Sequence, residues 1–213
     1  MFSAPKREEI DHLTIKFVVG LIAVSLAPLT DFFAKSSITS ISASYYEGGW
    51  SQTIFIGFLF AIAAFLVAYN GFSRTDMLLS KLAAAAALGV AMFPCECDNH
   101  IEAVPYVHYI CASAMFLILV YFCYSFYRRA RSKGHKEANR RACVYVVCGI
   151  AISLSILTIA CDKLSGGILS SKIPRLIFYG ESTGLVAFGV SWFTASRVLP
   201  GLTREDERFS PFK

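Results

Sequence analysis

The segment CECDNH, which begins at Cys95, concentrates residue types that bind metals and protons. Cys95, Cys97, Asp98 and His100 offer thiolate, carboxylate and imidazole groups, all of which zinc accepts. One residue separates the two cysteines, whereas structural zinc sites separate them by two to four, so the spacing does not favour a metal. Outside the cytoplasm a disulfide is the competing fate, with Cys161 as the available partner for either cysteine.

Two further ionisable residues, His108 and Glu181, lie within apolar runs at similar depth. A carboxylate in a membrane-spanning helix costs about 2.5–3.5 kcal/mol at the bilayer centre, so Glu181 requires a partner or a purpose. It is either a paired structural acid or a proton carrier, metal ligand or catalytic acid. His108 is either a satisfied polar residue or a hydrogen-bonding partner for Glu181.

Three functions are compatible with these residues. The first is a polar pocket around His108 and Glu181 that binds a small ligand, a lipid headgroup or a proton, with further members Ser42, Tyr45, Tyr46 and Asp31. The second is a zinc-dependent membrane lipid hydrolase, whose metal ligands would be Asp98, His100, His108 and Glu181. The third is a non-catalytic membrane interaction or assembly subunit.

The elements that must position these residues are predicted to be membrane-spanning helices. The chain has 213 residues, of which 55% are hydrophobic and only 16% charged, too few charges for the surface of a soluble domain. Six segments have the length and apolar character of a span. They cover residues 15–30, 53–71, 77–93, 104–127, 142–161 and 176–198. The predicted fold is an all-α, compact six-helix membrane bundle, with an N-terminal segment 1–14, a transmembrane domain 15–198 and a tail 199–213.

The distribution of Lys and Arg sets the orientation. With both termini in the cytoplasm, 16 of the 20 basic residues fall inside, and the inverted arrangement reverses that ratio. Loops 31–52, 94–103 and 162–175 are then outside. The protein is expected in a bacterial inner membrane. Because the cytoplasmic halves of the spans hold almost no ionisable residues, a site is expected to open outward.

The predicted cytoplasmic loop between the fourth and fifth spans is strongly basic. Its seven cations are Arg128, Arg129, Arg131, Lys133, Lys136, Arg140 and Arg141. They could bind anionic lipid headgroups, although fixing the topology is the simpler role. Nucleic acid binding is not expected, because no fold is available there to present base contacts. The polar tail after the last span is expected to be mobile.

Several stretches resemble a bacterial family of uncharacterised small inner-membrane proteins. They are SISASYYEGG, IFIGFLFAIAAFLVAYNG, LAAAAALGVAMFP, HYICASAMFLILVYF and ESTGLVAFGVSWF, within residues 38–194. The resemblance implies the six-span fold and shared positions at Ser42, Tyr45, Tyr46, His108 and Glu181, but it supplies no activity. Ser44 interrupts the family's loop pattern, and CECDNH is not part of it.

The seven-span zinc hydrolases of the alkaline ceramidase and adiponectin-receptor type offer a more distant comparison. Those proteins use a Ser, an Asp and three His near one membrane face. This chain has only His108 within a span and His100 outside. The hydrolase is therefore the alternative to the ligand pocket.

Overall fold

The computed structural model describes residues 11–97, 100 and 104–210, which form helices and loops with no β-strand among them. The helices are α1 His12–Phe32, α2 Ser44–Glu47, α3 Gly49–Ala68, α4 Arg74–Met92, α5 Val107–Ser132, α6 Lys136–Leu164, α7 Ile168–Lys172 and α8 Leu176–Ala195, followed by a 3₁₀ turn at Glu205–Glu207. Five of them, α1, α3, α4, α5 and α6, are long and apolar enough to cross a membrane. The all-α class and a membrane-embedded character are thus confirmed.

Helix α8 is as long as α3, at 20 residues, but it is not among those five. The sequence GESTG interrupts its apolar run with a carboxylate, two glycines and two hydroxyls. Six crossings and the orientation of the chain therefore stay predictions.

The six long helices form a closed ring in which each packs against the next. The order is α1, α3, α4, α5, α6 and α8, and α8 closes the ring by packing against both α6 and α1. Loop residues and helix ends thus gather at two ends of the bundle. We call the end that contains Asp31 and Glu181 the acidic end, and the end that contains Lys16, Arg129 and the C-terminal tail the basic end.

Side-chain caps begin three of the helices at the basic end. Asp11 accepts a hydrogen bond from the N–H of Leu13, at 2.9 Å, and Ser73 accepts one from Asp76, at 3.0 Å. The ring of His135 accepts the N–H of Ala138, at 3.2 Å. Each bond satisfies a donor that the first helical turn leaves unpaired. Because of its cap, α6 begins six residues before the apolar run predicted from the sequence.

Glycines allow the closest helix contacts. A methyl group added at Gly189 of α8 would lie 2.5 Å from Cγ2 of Val24 and 2.9 Å from the carbonyl oxygen of Gly20, both in α1. A methyl at Gly184 would lie 2.5 Å from the ring of Phe116. Small residues at these positions let the helix backbones approach. Gly57, by contrast, has nothing within 4 Å of the position a methyl would take.

An aromatic cluster fills the interior toward the basic end. Trp192 has 0% exposure, and its ring centroid lies 5.2 Å from those of Tyr69 and Phe188 and 5.8 Å from that of Phe122. Phe126 continues the cluster, 6.0 Å from Trp192. Tyr69 and Phe126 also contact Lys16, so the cluster underlies the charged groups of the basic end.

Candidate functional site

Glu181, at the acidic end, binds the loop between α1 and α2. Its carboxylate accepts a hydrogen bond from the N–H of Ile41, at 2.6 Å, and the N–H of Ser42 also donates to it. Backbone donors are strong partners for a carboxylate and offset part of its desolvation cost. Glu181 therefore fastens this loop to α8, and the bonded residues Ile41 and Glu181 are 140 positions apart in the sequence.

His108 is buried, with 3% exposure, and reaches the same loop. Its Nδ1 lies 2.8 Å from the carbonyl oxygen of Phe93, and its Nε2 lies 3.1 Å from Oγ of Ser42. A carbonyl only accepts, so Nδ1 carries the proton, and in the neutral ring Nε2 accepts the Ser42 hydroxyl. Ser42 thus joins His108 through its side chain and Glu181 through its backbone.

Tyr45 and Tyr46, which the sequence placed in the polar pocket, lie beside the loop that follows α4. The hydroxyl of Tyr46 donates to the carbonyl oxygen of Cys95, at 2.8 Å, and its ring stacks on His100 with centroids 3.8 Å apart. Tyr45 packs edge-on against Tyr46, at 5.4 Å. A disulfide joins Cys95 to Cys97.

The disulfide partner differs from the expectation. The sequence offers Cys161 as a possible partner of Cys95 or Cys97, but Cys161 is a free, exposed cysteine of α6. Cys95 is buried at 1% exposure beneath the loop, where Cys97 is the cysteine within reach, with a Cα–Cα distance of 5.4 Å.

Asp31 forms an ion pair that the sequence did not reveal. Its carboxylate pairs with the guanidinium of Arg175, which also donates from Nε to the carbonyl oxygen of Ile38, at 3.0 Å. Arg175 precedes α8 with a φ of 67°, in the left-handed region. The pair ties the end of α1 to the start of α8.

The zinc ligand set is not assembled within the part of the chain that the structure describes. Among residues 11–97, 100 and 104–210, no three His, Cys, Asp or Glu side chains form a group that could hold a metal ion. Asp98 lies outside the described residues. Both ring nitrogens of His108 contact protein atoms, and the His100 ring stacks on Tyr46.

A cavity of about 240 Å³ opens at the basic end, opposite to the end where the sequence predicted a site. Its lining includes five cationic side chains, and none of the lining residues is acidic. The cations are Lys16, Arg129, Lys133, Arg141 and Arg197. His12 also lines the cavity, and its Nδ1 is buried without a hydrogen-bond partner within the described chain. Of the lining cations, Lys16 and Arg197 lie within the predicted spans 15–30 and 176–198, and the other three lie in the predicted basic loop.

Lys16 is the most enclosed cation of this cavity, with 3% exposure. Its Nζ lies 4.8 Å from the ring centroid of Phe72, 5.5 Å from that of Tyr69 and 5.6 Å from that of Phe126. These are cation–π distances. Within the described residues, no carboxylate pairs with Lys16 and no acceptor is hydrogen-bonded to it. A buried ammonium without an ion-pair partner is costly, and an entering anion would supply one.

A second cavity of about 360 Å³ lies beside the first and shares Phe72 and Arg129 with it. Asp76 lines it, with 4% exposure. The Asp76 carboxylate accepts from the hydroxyls of Tyr121 and Ser125, at 3.1 and 3.0 Å, and from the N–H of Phe72, at 3.1 Å. Because these donors satisfy it, Asp76 acts as a structural anchor between α4 and α5.

The predicted basic loop contributes unequally to these cavities. Arg129, Lys133 and Arg141 line the first, and Arg128 lines the second. The other three do not line either cavity: Arg131 contacts Asn139, Arg140 donates to the tail, and Lys136 begins α6. Sequence reasoning missed Lys16 and Arg197 as site residues. The signal was available for Lys16, which stands one residue inside the first apolar run.

Comparisons with known proteins give no relative for this arrangement. No protein-family model, no curated protein and no solved structure matches the chain.

Proposed function

We propose that this chain is an integral membrane protein that binds a phosphate monoester group in the cavity at its basic end. One observation carries the proposal: the ammonium of Lys16 is buried beside that cavity with aromatic rings around it, and no carboxylate of the described residues lies within ion-pair distance. Burial of a cation is tolerated when an anion compensates it. The cavity would receive that anion.

The charge and shape of the lining favour a multiply charged oxyanion. Three of the five lining cations are arginines, whose planar guanidinium groups match phosphate oxygens in a two-pronged geometry. A single carboxylate would leave most of the positive charge uncompensated. A phosphate monoester carries close to two negative charges near neutral pH. The phosphate could be free in solution or belong to the headgroup of a lipid.

The proposal includes six crossings with both termini in the cytoplasm. The uneven distribution of basic residues supports that orientation, and so does the place of α8 in the ring between α1 and α6. The basic cavity would then open at the cytoplasmic surface. Anionic lipids of the cytoplasmic leaflet and soluble phosphate compounds would both reach it.

We infer a structural role for the acidic end. The described hydrogen bonds of Glu181 and His108 join them to the loop around Ser42 and, for His108, to the carbonyl oxygen of Phe93. These bonds hold the loop over the ends of the helices. The acidic end would therefore act as a clamp for the bundle rather than as the ligand site.

Calorimetry on the purified full chain in a neutral detergent at low salt tests the proposal. Inorganic phosphate is the soluble probe and dihexanoyl phosphatidic acid the lipid probe, with dihexanoyl phosphatidylcholine as the headgroup control. We expect saturable 1:1 binding of inorganic phosphate, of phosphatidic acid, or of both. Binding of inorganic phosphate alone identifies a soluble ligand, whereas binding of phosphatidic acid alone identifies a lipid.

Lys16→Met and Lys172→Met are the matched variants for this experiment. Lys172 is an exposed lysine of α7, at the acidic end. Loss of one charge contact corresponds to about a tenfold larger dissociation constant, that is, to weaker binding. We expect that loss in Lys16→Met and wild-type affinity in Lys172→Met. Absence of saturable binding of both inorganic phosphate and phosphatidic acid, or equal affinity in both variants, would contradict the proposal.

A further inference from the structure

The C-terminal tail, which we define as residues 199–210, folds back on the basic end. Arg141 donates from its guanidinium to the carbonyl oxygen of Leu202, at 2.6 Å, and Arg140 donates to that of Gly201, at 3.2 Å. The N–H of Phe209 donates to the carbonyl oxygen of Arg197, at 3.2 Å. The tail is thus attached along its length, whereas the sequence predicted a mobile segment.

Glu207 is the acidic residue of the tail that reaches the lining of the cavity. One oxygen of its carboxylate lies 2.6 Å from Nζ of Lys133 and 3.9 Å from the guanidinium of Arg197. The other oxygen lies 3.5 Å from the guanidinium of Arg141. All three cations line the cavity. Glu207 therefore makes the contacts that a bound anion would make.

Two cations of the cavity are not used by the tail. Lys16 and Arg129 form no ion pair with Glu207 or with another carboxylate among the described residues, and Arg129 instead lies over the ring of Phe72. We call these two the unpaired cations, and we call Lys133, Arg141 and Arg197, which Glu207 contacts, the tail-paired cations. A phosphate bound at the unpaired cations would compete with Glu207 for the tail-paired cations.

We propose that the tail is a built-in competitor of the anion site, with the Glu207 carboxylate leaving the tail-paired cations when an external phosphate group binds. This inference rests on the function proposed above. The three tail-paired cations keep an anionic partner in the exchange, because one anion replaces another. The tether keeps Glu207 at a high effective concentration, so the tail raises the ligand concentration needed for binding.

Displacement of Glu207 would also release the tail. Among the described residues, the tail's remaining attachments are the bonds from the Arg140 and Arg141 guanidinium groups to its carbonyl oxygens and the backbone bond from Phe209 to Arg197. Arg204 and Arg208 flank Glu207 and are exposed sites for trypsin. A proteolytic cut needs a segment that can leave its docked conformation, so the rate of cutting reports docking.

The test uses the full chain with Glu207→Gln, and with Glu205→Gln as the matched control. Glu205 lies two residues upstream in the same turn, is exposed, and has no ion pair among the described residues. Calorimetry with inorganic phosphate and with dihexanoyl phosphatidic acid should show about tenfold tighter binding in Glu207→Gln, since one competing charge contact is removed. Glu205→Gln should bind like wild type.

Trypsin cleavage at Arg204 and Arg208 is the second readout. In wild type, a saturating concentration of the phosphate or phosphatidic acid that binds should increase the cleavage rate several-fold. In Glu207→Gln, cleavage should be fast without either probe. Equal affinities in the three proteins, or a tail that the probe protects from cleavage, would overturn the competitor role and leave the anion site standing. Absence of binding in all three proteins would overturn the site and the competitor together.

Discussion

Replacement of Lys16 by Met should make the ligand-free protein more stable and weaken its response to phosphate. Met has a similar length and an apolar side chain, so it fills the same space without a charge. Lys16 is 3% exposed and has no ion-pair partner among the described residues. An ordinary structural lysine would give the opposite result, because its loss would remove a stabilising contact.

The expected magnitude follows from two opposing contributions. Removal of an unpaired buried ammonium recovers a desolvation cost on the order of 4 kcal/mol. Loss of contacts with three aromatic rings removes about 2 kcal/mol. The net gain is about 2 kcal/mol, or about 4–8 °C in Tm for a chain of this length.

Thermal unfolding in detergent, with and without inorganic phosphate, checks this expectation. At a ligand concentration 100 times Kd, binding stabilises the folded protein by about 2.7 kcal/mol. Wild type should then reach or exceed the stability of ligand-free Lys16→Met, whereas Lys16→Met, with about tenfold weaker binding, should gain only about 1.4 kcal/mol. A Lys16→Met protein that melts several degrees below wild type without ligand, or that responds to phosphate like wild type, would refute the reasoning.

Three further predictions concern other parts of the molecule. Glu181→Gln should lower the free energy of unfolding by about 1–3 kcal/mol, because its NH₂ group would face a backbone donor, and calorimetry should find its phosphate affinity unchanged. Gly189→Val should cost about 1–3 kcal/mol in a thermal melt by forcing α1 and α8 apart, whereas Gly57→Val should cost less than 0.5 kcal/mol, on the order expected for an open surface position. The ion pair with Lys133 lowers the pKa of Glu207, so its contribution is complete above the ordinary carboxyl pKa, about 4.3, and is lost as the pH falls through the lowered value. The stability difference between wild type and Glu207→Gln should therefore stay constant from pH 7 to about pH 5 and disappear in stronger acid; a difference that grows in acid would contradict this assignment.

The positions of the long helices could largely be predicted from the sequence, because the length of an apolar run dictates helix position in a membrane protein. The first predicted span, 15–30, lies within α1, and the fifth, 142–161, lies within α6. The longer observed helices reflect caps and charged turns that apolarity does not detect, such as the His135 cap before α6. The short helices α2 and α7 were not predicted because four or five polar and apolar residues carry no periodic signal.

The candidate site was harder to predict from the sequence, because its contacts join residues far apart in the chain. The link from Ser42 to His108 and Glu181 depends on the path of the loop after α1. The basic cavity depends on closure of the ring by α8, which brings Arg197 to the same end as Lys16. In the sequence, Lys16 is one of the basic residues whose distribution indicates the orientation, and that distribution carries no information about burial.

Diffraction from crystals soaked in selenate or tungstate tests the central claim most directly, since the anomalous signal locates a tetrahedral oxyanion without assumptions about affinity. The account predicts an anomalous peak inside the basic cavity, within hydrogen-bond distance of Nζ of Lys16 and of at least one lining arginine. Peaks confined to the outer surface of the bundle, with the Lys16 side of the cavity unoccupied at saturating oxyanion, would contradict it.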